Sequence, residues 1–134
     1  MRTTKQLSIF LENRPGLLAH ATNILGENKV SITAMSIHDM VDLAVVRMIC
    51  DNPTKATLLL EHEEFYVIEL DVIVMEIPNS PGTIAAIARK LALADINIDY
   101  AYYTANQIQS QGVFVIRTKE IDRAKEALHG MFED

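Results

Sequence analysis

Two short turns carry the residue types in this chain best suited to binding chemistry. Asn13-Arg14-Pro15-Gly16 and Asn79-Ser80-Pro81-Gly82 each follow an apolar, strand-like run and open a helix-like run, with Pro15 and Pro81 66 residues apart. Glycine has no side chain, so the backbone there can approach a ligand closely. The first N–H groups of the following helix lack intrahelical partners and carry the positive end of the helix dipole, which suits a carboxylate. The neighbouring Asn amide offers a donor and an acceptor, fit to grip an amino group or a carboxylate. One such turn reads as a helix cap; two in register read as a paired binding feature.

No other constellation competes with it. His20, His38, His62 and His129 have neither the i, i+4 nor the short-loop spacing of a metal site, and Cys50 is the only cysteine. Metal and cofactor are therefore not expected. Glu61, Glu63 and Glu64 read as a solvated helix end rather than a paired acid and base. No nucleophile triad, phosphate-cradling loop or dinucleotide fingerprint is present, so the chain is expected not to be an enzyme. Tyr100 and Tyr102 alternate on one strand face beside Tyr103, an arrangement for packing. Aromatics on a sheet also serve RNA stacking, but the net charge of −6, with no basic cluster, opposes nucleic acid and anionic membrane surfaces.

The chain has 134 residues, 49% of them hydrophobic, enough for two units of about 65 residues rather than two large domains. No apolar stretch approaches the roughly 20 residues of a membrane span. The N-terminus lacks a signal-peptide core and a lone cysteine forms no intrachain disulfide, so a cytoplasmic location is expected. Cys50, in the run Val45–Cys50, reads as a buried structural thiol.

The elements that must position the turns follow from periodicity. Residues 6–12 alternate as a strand; Leu17, Leu18, Ala21, Ile24 and Leu25 make a helical stripe. Strands follow over 30–37 and 43–50, Asn52-Pro53 starts a second helix, and 65–68 is a fourth strand. The pattern then restarts. A strand over 70–77, a helix with Ile84, Ile87, Ala88 and Leu91, strands over 96–103 and 113–118, and a helix with Ala124, Ala127, Leu128 and Met131 repeat the order. Buried positions also coincide: Leu7, Ile9 and Leu11 fall on Ile73, Met75 and Ile77, and Leu25 falls on Leu91.

The expected class is α+β: two ferredoxin-like βαββαβ repeats, residues 1–69 and 70–134, with antiparallel sheets and helices on one face. The second repeat lacks its last strand, because the sequence ends at Phe132-Glu133-Asp134 after the helix. That leaves an edge to be paired, either by the run 65–77 serving both sheets or by a second chain. A homodimer is expected on those grounds.

The stretches Leu11 to Leu18 with Lys29-Val30-Ser31-Ile32, and Ile77 to Ile84 with Asp95-Ile96-Asn97-Ile98, resemble the ACT domain, the small ligand-sensing module of amino-acid metabolism. The resemblance spans nearly the whole chain and implies a free-standing tandem ACT protein. It implies a free amino acid held between two units, by the strand–helix turn of one and polar residues at the start of a second strand. Carried onto this sequence, the turn residues are Asn13, Arg14, Pro15, Gly16, Leu17 and Leu18, with Asn79, Ser80, Pro81, Gly82, Thr83 and Ile84. The second-strand residues are Ser31 and Asn97; Asn97 matches the family's amide and Ser31 does not, so two sites would differ in affinity. The implied role is allosteric regulation of a metabolic enzyme or transporter. The competing role is a subunit that acts through protein contact, with degenerate ligand sites.

Overall fold

The computed structural model describes residues 1–12, 14–106, 108 and 110–132. Asn13, Gln107, Gln109, Glu133 and Asp134 lie outside the described residues. The elements run β1 (Arg2–Glu12), α1 (Leu17–Glu27), β2 (Ile32–Asp39), β3 (Leu43–Cys50) and α2 (Pro53–His62). They continue through β4 (Tyr66–Pro78), α3 (Thr83–Leu93), β5 (Tyr100–Ala105), β6 (Gln111–Arg117) and α4 (Ile121–Leu128). This is the expected α+β architecture of antiparallel strands and covering helices. It divides into two compact units, Lys5–Leu70 and Met1–Thr4 with Asp71–Asp134.

In the Lys5–Leu70 unit the strand order is β2-β3-β1-β4. Leu7, Ile9 and Leu11 lie opposite Met48, Val46 and Ala44, so alternate residues of two strands share one face. That face packs on Ala21 and Leu25 of α1 and Ala56 and Leu60 of α2. Each fully buried leucine contributes roughly 1.5–3 kcal/mol. α2 starts where Asn52 and Pro53 predict: the Asn52 Oδ1 accepts the Lys55 N–H at 3.1 Å, and Pro53 gives up no helical hydrogen bond.

The second unit is built alike, in the order β1-β4-β6-β5. Ile73, Met75 and Ile77 lie opposite Ile116, Phe114 and Gly112 and pack on Ile87 and Leu91 of α3 and Ala124 and Leu128 of α4. The core positions of the first strand and first helix of the two units coincide at the 66-residue offset, Leu7, Ile9, Leu11, Ala21 and Leu25 with Ile73, Met75, Ile77, Ile87 and Leu91.

Two differences from the sequence reading concern β1 and β4. The segments 65–68 and 70–77 form one strand, β4, whose first residues belong to one unit and whose remainder, from Asp71, belongs to the other. β1 begins at Arg2 rather than Gln6, and its start, Met1–Thr4, falls in the compact unit of Asp71–Asp134. The place of the missing last strand is therefore taken by the chain's own N-terminus. The repeats expected at 1–69 and 70–134 are sequence units; the compact units differ from them by Met1–Thr4 and by Leu70. An open edge no longer argues for a second chain.

Cys50 is buried at the end of β3, 4% exposed. Burial, and secondarily the neighbouring Asp51 carboxylate, pushes its thiol up to about 11. The fold thus favours the protonated thiol. That stabilisation is complete below the free thiol's ordinary value of 9.0 and is lost as pH rises through about 11. Native protein at pH 8 should react with a thiol reagent about 100-fold more slowly than urea-unfolded protein. Equal rates would place Cys50 at the surface.

Candidate functional site

Both candidate turns end on a glycine of the same conformation. Gly16 (φ 89°) and Gly82 (φ 87°) are left-handed and form the N-caps of α1 and α3, and among the described residues no side chain caps either helix. A side chain at this φ is strained, which accounts for glycine at both. The alternative in which Asn79 serves as the cap of α3 is thereby corrected: the cap residue is Gly82. Asn13 lies outside the described residues.

The polar groups around the two turns differ. Asn79 is held by its own unit: its backbone N–H donates to the Ser110 carbonyl at 2.8 Å, and its Nδ2 lies 3.5 Å from the Asn106 carbonyl. Its Oδ1 accepts the Tyr103 hydroxyl at 3.2 Å. The Ser80 and Thr83 hydroxyls share a hydrogen bond at 3.0 Å, with Thr83 buried. Pro81 and Ile84 are exposed. In the first turn, Arg14 and Pro15 are exposed, and the Arg14 Nε pairs with the Glu12 carboxylate at 3.1 Å. Leu17 and Leu18 are half-buried against the core.

Tyr103 is a residue the sequence reading passed over in favour of Tyr100 and Tyr102. Its ring meets Phe114 edge-on, with centroids 6.1 Å apart, and lies over Gly112. A Cβ built on Gly112 would come within 2.6 Å of the Tyr103 Cζ. Gly112 is therefore glycine because an aromatic ring occupies the space its side chain would need. Tyr103 pairs across the ladder with the core residue Phe114, a register that the fold and not the local sequence provides.

Ser31 and Asn97 do not join the turns within a unit. Both precede their strands, since β2 starts at Ile32 and β5 at Tyr100 rather than at 30 and 96. The Ser31 N–H donates to the Asp51 carboxylate at 3.0 Å, beyond the end of β3, whereas the turn follows the pair Glu12–Leu43 at its start. Roughly 25 Å of strand separates them. The Asn97 carbonyl accepts the buried Thr118 hydroxyl at 2.9 Å beyond the end of β6, while Asn79 binds Ser110 before its start. Turn and second-strand residues sit at opposite ends of each unit.

Two Pro-Gly turns, each with a left-handed glycine, open the helices α1 and α3 over a βαββα layer. The pattern of the ACT domain pair matches residues 2–131. The chain belongs to the ACT domain pair family. Its fold is also close to several solved structures. A protein from Bacteroides thetaiotaomicron is 34% identical, with a TM-score of 0.88, over 94% of this chain and 86% of that one. The regulatory subunit of aspartate kinase from Thermus thermophilus, in its ligand-free form, is 16% identical with a TM-score of 0.70, over 99% of each chain. The corresponding subunit from Thermus flavus is 18% identical with a TM-score of 0.66, over 98% and 96%. No curated protein matches the sequence. Among the described residues no helix is long and apolar enough to cross a membrane.

Proposed function

We propose that this ACT domain pair is a regulatory protein, not an enzyme, that binds a free amino acid at its turns and passes the binding on to a partner. The observation that carries this reading is the duplicated turn, with Gly16 and Gly82 left-handed at the N-caps of α1 and α3 and, among the described residues, no side chain capping either helix. Backbone N–H groups at such ends suit an α-carboxylate. The folds of the aspartate kinase regulatory subunits support a regulatory role. Because turn and second-strand residues lie at opposite ends of a unit, a ligand using both draws on two ACT units, as the resemblance implies for Asn79 or Arg14 with Ser31 or Asn97. A ligand that favours one arrangement of the units shifts their population, and a metabolic enzyme or transporter reads the change. Homodimerisation and a cytoplasmic location complete this proposal.

A second reading, regulation through protein contact alone, is favoured by the Tyr103–Asn79 hydrogen bond, which occupies the amide meant for the ligand. The exposed Met35, Ile37, Met40, Val41 and Leu43 around the β2–β3 turn suit such contact. A thermal-shift screen against the twenty amino acids at millimolar concentration separates the two. Binding to the folded state adds about 2.7 kcal/mol at a hundredfold excess over Kd. One or two hits are expected; a flat screen on folded protein would favour the contact reading.

A further inference from the structure

The two turns are chemically unequal, and the inequality points to where a ligand sits. In the second unit, the Asn79 amide is engaged by the Asn106 carbonyl and the Tyr103 hydroxyl, and the Ser80 and Thr83 hydroxyls bond each other. Beside the turn of the Lys5–Leu70 unit lies a cavity of about 310 Å³, within the size range of small-ligand pockets. Leu11, Leu17 and Phe65 give it apolar lining. Arg14 and Glu12 reach it from the strand–helix turn, and Glu63 and Glu64 from the turn after α2. His20 borders it from α1, its ring centroid 5.6 Å from that of Phe65 and its Nε2 3.8 Å from the Glu63 carboxylate. These ion pairs are exposed, and exposed pairs are weak enough for a ligand to replace.

A guanidinium for a carboxylate, carboxylates for an ammonium and an apolar lining for an aliphatic stem meet in one cavity. Three glutamates against one arginine make its field negative, which favours a net-positive guest.

We propose that this cavity binds an amino acid with a cationic side chain, Arg14 taking the α-carboxylate and Glu63 and Glu64 the ammonium or guanidinium. The inference rests on the amino-acid reading above and adds His20, Glu63 and Glu64 to the residues that the turn motif implies.

The test is calorimetric titration of the full chain with L-lysine, L-arginine and L-glutamate, repeated on Arg14→Gln and on the Glu63→Gln/Glu64→Gln double variant. All three positions are exposed, and circular dichroism checks that the variants fold. The expected result is that L-lysine or L-arginine binds, L-glutamate binds at least tenfold more weakly, and both variants weaken the cationic ligand at least tenfold. Binding of a cationic amino acid with unchanged affinity in both variants would overturn the cavity assignment, as would a preference for L-glutamate. Either result would leave the amino-acid reading standing. Absence of binding by all twenty amino acids would sink both.

Discussion

Ile77→Ala is expected to lower the free energy of unfolding by about 2–5 kcal/mol, the range for truncating a buried isoleucine. Ile77 is fully buried in the core of the Asp71–Asp134 unit, opposite Gly112 on β6, and is followed at once by Pro78 and the second turn. The lost methyl groups forfeit transfer energy and leave a cavity that adds to the cost. Urea denaturation should show a lower midpoint with an unchanged slope. A loss under about 1 kcal/mol would mean that the strand end is less tightly packed than its burial indicates.

Gly112→Ala is the second large effect, expected at about 1–3 kcal/mol for overpacking. The added methyl meets the Tyr103 ring, so the ring must move away from Phe114 and its hydroxyl from Asn79. Tyr103→Phe removes only the hydroxyl and should cost about 1 kcal/mol. In the Gly112→Ala background that second substitution should cost little, because the hydrogen bond is already gone; additive losses would show that the ring is not displaced. The same substitution tests whether Tyr103 holds the second turn. Freed from Tyr103, the Asn79 amide becomes available to a ligand.

Much of this was legible in the sequence. The 66-residue register located both cores and both turns because alternating and helical periodicities are local signals of burial. Glycine at 16 and 82 read in the sequence as room for a ligand beside the backbone; its left-handed conformation is a finding of the fold. Met1–Thr4 was not legible as a strand. Arg2, Thr3 and Thr4 show no apolar alternation, and a strand can be held by backbone hydrogen bonds that leave no mark in side-chain type. Residues 96–99 failed in the opposite sense. Ile96 and Ile98 alternate, but the Asn97 carbonyl is bound by Thr118, and β5 begins only at Tyr100. The distance between Ser31 and its own turn, and the approach of Glu63 to His20, follow from how separate elements meet, which local periodicity does not encode.

The most direct test of the account is to titrate isotope-labelled protein, by NMR, with the amino acid that stabilises it most, and to follow the backbone amides of Gly16 and Gly82. The account predicts that at least one of the two shifts with the ligand's binding isotherm, together with the first helical residues behind it, and that Gly16 moves the more. A bound amino acid that leaves both glycine amides unmoved would contradict the claim that these turns are the binding site.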